Sequence, residues 1–150
     1  MLMSHVVMGK DGFMAGIQKS LRLPPETLRE IEEMAKETGR DFSGITLDLL
    51  SEAIKMRRCP GIVLSEGVSG RRARVAGTGI EVWEIVANYQ SLDEDFARLK
   101  KAFHWLTSDQ LRTALGYYTA YPGEIDELIA RNQGWDSQTI KKRHPLMAPL

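Results

Sequence analysis

Cysteine, net charge and long apolar runs are what this chain of 150 residues almost lacks. Its one cysteine, Cys59, excludes an internal disulfide and fits the reducing cytosol. No apolar run approaches the roughly 18 residues of a membrane-spanning helix. The N-terminus also lacks the basic stretch followed by an apolar stretch that is typical of a signal peptide. We therefore expect a cytoplasmic protein with no membrane partner.

The charges balance, since 20 lysines and arginines face 20 aspartates and glutamates. Global charge therefore gives no support for nucleic-acid binding, and such an activity would need a local patch. Residues typical of catalysis are also few. His5, His104 and His144 stand alone, without the spacing of a metal site. The sequence accordingly predicts no catalytic residue, no enzyme activity, no metal and no cofactor.

Residues 17–58 have the pattern of a short strand followed by two helices. Pro25 suits the first turn of one helix, and Gly39 suits the left-handed position after its end. Ser43 is predicted as the N-cap of the second helix. The strand is predicted at residues 18–23, and nothing before it has the pattern of a second strand. This strand therefore has no predicted partner in its own chain.

A second copy of the chain would supply the missing partner. A unit of about 40 residues is too small to form its own core. In a dimer, two strands pair antiparallel about a two-fold axis and four helices cover one face of the ribbon. Alternation then directs Leu21 and Leu23 toward the helices. Gln18, Ser20 and Arg22 face outward, on a two-stranded ribbon that the major groove of DNA admits.

The N-terminal pattern also resembles a known fold. The motif SLRLP at residues 20–24, the turn at Gly39 and the helix after Ser43 resemble the ribbon-helix-helix fold of the Arc, MetJ and CopG type. The resemblance implies an intertwined dimer with base-edge contacts by Gln18, Ser20 and Arg22, and a backbone-phosphate contact by Ser43. Such contacts are chemically sensible, because arginine binds guanine bidentately, glutamine binds adenine and a helix N-terminus favours phosphate. A helical hairpin used only for dimerisation is the alternative.

Residues 60–133 predict a β-hairpin followed by short capped helices. The hairpin is predicted from the apolar run at residues 61–64 and the alternation at residues 72–76. Capping boxes are predicted at Ser91 with Glu94 and at Thr107 with Gln110. Pro122 is expected to open the last helix.

Several blocks of this second part resemble one small family. VAGTGIEV at residues 75–82 is similar to the GTRIxV signature of the family called domain of unknown function 433. The blocks LT, QL, AL, YY and EID between residues 106 and 126 match the helical part of that family. The resemblance implies a helix-turn-helix-like domain of bacterial antitoxins, which are often encoded beside a PIN-like nuclease toxin. Gly79 replaces the arginine that is usual in the signature.

Two charged clusters in the second part have competing interpretations. The densest basic cluster consists of Arg71, Arg72 and Arg74. We interpret it as a solvated hairpin edge, with a nucleic-acid or acidic-partner contact as the alternative. The acids at residues 124–127 are expected to favour the positive end of the last helix rather than to form a catalytic pair.

The tail, residues 134–150, has two prolines and is expected to be extended in isolation. Trp135 is a candidate partner-binding residue, because tryptophan is enriched in binding hot spots. The alternative is that Trp135 packs back over the helices. Lys141, Lys142 and Arg143 suit an acidic partner, such as the metal-binding cleft of a PIN-like ribonuclease.

Together these expectations describe a mainly α protein with a little β. We divide it into a flexible arm (1–15), a ribbon-helix-helix domain (16–58), a small helical antitoxin-like domain with a hairpin (60–133) and the extended tail (134–150). The leading hypothesis is an antitoxin of a type II toxin–antitoxin pair that dimerises, binds operator DNA and blocks a protein toxin. The alternatives are a stand-alone dimeric transcription regulator and an interaction scaffold that does not touch DNA.

Overall fold

The computed structural model describes the backbone of residues 4–8, 14–67 and 70–133, and the side chains of residues 16–67 and 70–133. Within these ranges the chain forms six helices and two antiparallel hairpins, which confirms the mainly helical class with a little β. No helix in these ranges is long and apolar enough to cross a membrane. The chain divides into two compact units, Met1–Leu50 and Ser51–Leu150.

The first unit begins with a hairpin inside the single chain. Strand β1 (Ser4–Met8) pairs antiparallel with β2 (Met14–Lys19), and His5 lies opposite Gln18. The register shifts along β1, as at a β-bulge, and Gly16 on β2 has a φ of 120°. Glycine adopts this conformation without the clash that a Cβ would cause.

This hairpin corrects two predictions about the N-terminus. The expectation that no strand precedes residue 17 was wrong, because β1 carries Val6 and Val7, and β-branched residues favour strands. The predicted strand at residues 18–23 was also misplaced. The register ends with Ser4 opposite Lys19, and residues 20–24 take no strand conformation. A strand needs a neighbour, and these residues have none among the strands that the structure describes.

Two helices follow, α1 (Pro25–Thr38) and α2 (Phe42–Arg58). The start of α1 at Pro25 is confirmed, and so is its end, where Gly39 has a left-handed φ of 66° and donates its N–H to the Ala35 carbonyl. The predicted N-cap of α2 at Ser43 was wrong. The helix starts at Phe42, two residues before the start that an N-cap at Ser43 implies, and the carboxylate of Asp41 accepts the N–H of Gly44 at 2.9 Å.

The physical reason is a close approach at Gly44. A Cβ at this position would lie 2.5 Å from Asp41 Oδ1, so only glycine leaves room for the carboxylate. Aspartate and serine are both good N-caps. Asp41 is the cap of α2 because Gly44 leaves space for its carboxylate.

The second unit contains a hairpin and four further helices. Strand β3 (Ile62–Gly67) pairs antiparallel with β4 (Gly70–Val75), which confirms the predicted hairpin, and Ile62 lies opposite Val75. The helices are α3 (Val82–Ser91), α4 (Phe96–Ala102), α5 (Ser108–Ala120) and α6 (Pro122–Gln133). The end of α2 belongs to this unit, because Glu52 pairs with Arg71 of β4 and Lys55 pairs with Glu124 of α6.

One apolar core joins the hairpin to the helices of this unit. The largest fully buried side chains are Ile62, Val75, Val82, Ile85, Val86, Leu99, Leu111, Tyr117 and Ile125. They come from both strands and all four helices, so the core is common to the whole unit.

Of the two capping boxes predicted in the second unit, one is confirmed and one was wrong. The capping box of Thr107 with Gln110 at the start of α5 is confirmed. Ser91 does not cap α4, because it is the last residue of α3 and its hydroxyl donates to the Asn88 carbonyl at 2.8 Å. Asp95 caps α4 instead, and its carboxylate accepts the N–H of Arg98 at 3.1 Å. In the turn between the two helices, Asp93 and Glu94 both have a left-handed φ of 56°.

Candidate functional site

The three predicted base-contacting residues are exposed, but they do not share one strand. Gln18 lies in β2, whereas Ser20 and Arg22 lie in the extended segment between β2 and α1. Leu21 is 69% exposed and Leu23 is partly buried, so only Leu23 shows the predicted inward packing. Residues 20–24 carry alternating polar and apolar side chains and pair with none of the four described strands.

The predicted phosphate site at the start of α2 already has an anion beside it. Ser43 is exposed and is the second residue of the helix. The Asp41 carboxylate accepts the N–H of Gly44, one of the donors that a phosphate would use. Arg40, which precedes it, forms an ion pair with Asp48. A phosphate at Ser43 would therefore compete with Asp41.

The predicted partner-binding residues Trp135, Lys141, Lys142 and Arg143 lie outside the described residues. Their role stays a prediction.

The basic cluster of the hairpin is mostly engaged within the second unit. Arg71 donates from its Nε and Nη2 to both oxygens of Glu52, and it also donates to the Leu64 carbonyl at 2.8 Å. The hydrogen bond to Glu52 raises the pKa of Arg71 above its ordinary value. Arg74 donates to Glu81 at 3.1 Å, and both side chains are about one-fifth exposed. Neither interpretation from the sequence anticipated these pairs.

Glu81 is the centre of a small polar network at the start of α3. Its carboxylate accepts from Arg74 and from the Trp83 indole N–H. Its backbone N–H donates to the Glu84 carboxylate at 2.8 Å. Glu81 thus ties β4 to α3, and spacing along the sequence gives no sign of this role.

A second network joins the end of α2 to α5 and α6. Glu124 Oε2 accepts from Lys55 Nζ at 3.0 Å and from the hydroxyl of the fully buried Tyr117 at 2.8 Å. Burial, and then the hydrogen bond to Glu124, raises the pKa of Tyr117 well above its ordinary value. Lys55 Nζ also lies 5.3 Å from the ring centroid of Tyr121, a cation–π contact.

The neighbouring acids on α6 have partners of their own. Asp126 accepts from the Tyr118 hydroxyl at 2.7 Å, and Glu127 pairs with Arg131 one turn later. The acids at residues 124–127 therefore make separate side-chain contacts in addition to facing the helix dipole.

A cleft of about 460 Å³ opens beside this unit's hairpin and helices. Its lining includes Arg72, Gly79, Trp83, Glu84 and Arg131. A Cβ added at Gly79 would meet nothing within 4 Å, so the glycine leaves this part of the wall without a side chain. The usual arginine of the signature motif is therefore replaced at a position where the chain has open space.

Among the described residues, no group of three or more histidine, cysteine, aspartate or glutamate side chains could hold a metal ion. The thiol of Cys59 is buried, and burial raises its pKa above the ordinary value. A raised pKa disfavours the reactive thiolate, which agrees with a structural role for this residue.

Residues 62–118 match the family described as "Protein of unknown function (DUF433)". The matched range runs from the first residue of β3 into α5. It confirms the predicted resemblance of the second part of the chain. No curated protein and no solved structure matches the chain.

Proposed function

We propose that this chain is the antitoxin of a type II toxin–antitoxin pair. The first unit dimerises as a ribbon-helix-helix domain and binds operator DNA. The C-terminal region neutralises a protein toxin, a PIN-like ribonuclease in our hypothesis. The observation that carries the proposal is that the described part of the first unit leaves most of its large apolar side chains exposed.

Among the side chains described between residues 16 and 50, only Ile31 is buried. Large apolar side chains stay in water instead, namely Ile17, Leu21, Leu28, Met34, Phe42, Leu47 and Leu50. Leu47, Leu50 and Ile54 follow the i, i+3, i+7 spacing of one helix face, and each is at least half exposed. Full burial of one such side chain stabilises by about 1.5–3 kcal/mol, so a second copy would provide a core that one chain lacks.

We interpret the polar side chains on the same segment as DNA contacts. Gln18, Ser20 and Arg22 are exposed next to the apolar Leu21. Pairing of this segment with its copy would bury Leu21 against the helices and leave the polar side chains outside. A two-stranded ribbon with arginine and glutamine on its outer face is suited to base edges in the major groove.

Toxin binding rests on the resemblance of the second unit to family 433 and on the composition of the tail. Trp135 would anchor the tail, and Lys141, Lys142 and Arg143 would face the acidic cleft of the ribonuclease. The mechanism is steric, since a peptide arm across the cleft excludes the substrate.

Copurification tests the antitoxin proposal most directly. Coexpressed with the product of the neighbouring gene, the tagged chain should bring that product down in a stable complex. If no partner copurifies while the chain still shifts its upstream DNA, the stand-alone regulator replaces the antitoxin.

A gel shift with the upstream DNA tests the ribbon. Arg22→Ala should weaken binding by about 1–3 kcal/mol per half-site. Arg29→Ala is the matched control, because it removes an exposed arginine from α1. Equal binding by both variants and the wild-type chain would show that the ribbon does not read DNA.

The tail is tested by changing Lys141, Lys142 and Arg143 together to alanine. This variant should lose inhibition of the toxin while it keeps the DNA shift. Arg22→Ala should show the reverse pattern. Full inhibition by the triple variant would remove the basic tail from the mechanism.

A further inference from the structure

An exposed tryptophan follows α4 in the second unit. Trp105 is 58% exposed. The rings of Phe103 and His104 contact the indole in edge arrangements, at centroid distances of 5.6 Å and 5.0 Å. Phe103 is itself buried in the core, so its contact fixes one side of the Trp105 indole. A ring that is already held loses little side-chain entropy when it binds a ligand.

Two lysines lie at the same end of α4. Lys100 and Lys101 are in its last turn, and Lys100 Nζ donates to the His104 carbonyl at 3.2 Å. Neither lysine forms an ion pair with any residue that the structure describes. We call Lys100, Lys101, His104 and Trp105 the basic-aromatic patch.

The acids nearest to the patch in the sequence lie on both sides of it. Asp95 is at the other end of α4, and Asp109 is in the first turn of α5, 3.5 Å from Arg112. The Asp95 carboxylate is occupied as the helix cap, and Asp93 lies 3.6 Å from Arg98. Lys101 follows Asp95 by six positions, a helical rise of about 9 Å. This is close to the Debye length of about 8 Å at physiological salt. Asp93, Asp95 and Asp109 therefore each have a local partner.

We propose that the basic-aromatic patch binds single-stranded nucleic acid. An unpaired base would stack on Trp105, and the flanking phosphates would lie against Lys100 and Lys101. Charge complementarity selects a polyanion, and the indole adds stacking that any unpaired base can provide. In a duplex the bases are already stacked on one another. Lysine is depleted at protein–protein interfaces, so two lysines at the end of α4 that precedes the indole favour nucleic acid over an acidic protein.

Fluorescence anisotropy of a labelled 12-residue oligo(dT) with the full chain tests this proposal at physiological salt. Non-specific binding in the range of about 10⁻⁴–10⁻⁶ M is expected. Trp105→Ala should weaken it roughly 5- to 150-fold, the effect of losing one stacked base, whereas Trp105→Phe should keep most of the affinity. Lys101→Ala should lower the slope of log K against log salt by about 0.7.

Lys36→Ala is the matched control, because Lys36 is an exposed lysine in the last turn of α1. It should leave both affinity and slope unchanged. Circular dichroism checks that the variants remain folded. The proposal is overturned if Trp105→Ala binds as tightly as the wild-type chain, if a duplex of equal length binds more tightly than the single strand, or if polyglutamate competes as well as oligo(dT).

Operator binding and this activity fail separately. Arg22→Ala should lose the operator shift and keep oligo(dT) binding, and Trp105→Ala should do the opposite. A chain that binds oligo(dT) but no operator would refute the ribbon and leave the patch in place.

Discussion

Replacing Tyr117 by phenylalanine should destabilise the second unit by about 1.5–3 kcal/mol. The tyrosine is fully buried, and its hydroxyl donates to Glu124 Oε2 at 2.8 Å. The substitution removes one oxygen and keeps the packing of the ring. The lost free energy is therefore that of a hydrogen bond to a charged acceptor.

Tyr118→Phe is the matched control on the same helix. Its hydroxyl also donates to a carboxylate, that of Asp126 at 2.7 Å, but this pair is exposed to water. Water can replace such a contact, so the cost should stay within about 0.5 kcal/mol.

Urea unfolding followed by tryptophan emission measures both variants. The three tryptophans, at positions 83, 105 and 135, all come after residue 50, so the emission does not report on the first unit. The midpoint should fall for Tyr117→Phe with an unchanged m-value. A midpoint shift no larger than that of Tyr118→Phe would refute the reasoning, because the buried hydrogen bond would then contribute nothing measurable.

The same tyrosine predicts a pH dependence. Burial and the hydrogen bond to Glu124 raise the pKa of Tyr117 above the ordinary value of 10.0. Above pH 10 the unfolded chain loses the phenolic proton while the folded chain keeps it. Stability from this group is thus complete below pH 10 and falls by about 1.4 kcal/mol per pH unit above it. Tyr117→Phe should remove this part of the slope between pH 9 and 11.

Three further predictions concern other residues. Leu50→Asp should convert a dimer into monomers in light scattering, because it places a charge on the exposed apolar face of α2; an unchanged dimer mass would contradict the proposed interface. Asp41→Asn keeps a good N-cap but removes a charge beside Ser43, so operator binding should tighten by up to about 1 kcal/mol in a gel shift. Glu81→Ala leaves the Arg74 guanidinium partly buried without its partner and should lower the free energy of unfolding by about 2–4 kcal/mol in urea.

Capping signals in the sequence predicted some helix starts and missed others. Thr107 capped α5 as expected, although Ser108 and Asp109 follow it directly. Ser43 and Ser91 failed because Asp41 and Asp95 stood nearby and were equally suited to the position. Choosing between such neighbours requires knowing where the preceding helix ends, and that depends on packing.

Contacts between distant residues could not be read from spacing. Glu52 and Arg71 are 19 residues apart, and Lys55 and Glu124 are 69 apart. Each pair forms only after the hairpin or α6 has packed against the core. The interpretation of the hairpin arginines as a solvated edge did not include these ion pairs for this reason. In the first unit, Val6 and Val7 were a local signal for β1, but its pairing with β2 depends on contacts across the hairpin.

The turn between α3 and α4 restricts the angle between these two helices. Two successive L-residues, Asp93 and Glu94, are held in the left-handed region, at a cost of about 1–2 kcal/mol each. Glycine there would relieve the cost but would also let the two helices sample more angles. A turn with Asp93 and Glu94 in place of glycine lowers the folding free energy that the chain gains, but it restricts the angle between α3 and α4. The spacing between the core and the far end of α4, where Trp105 follows, is thereby set before any ligand arrives.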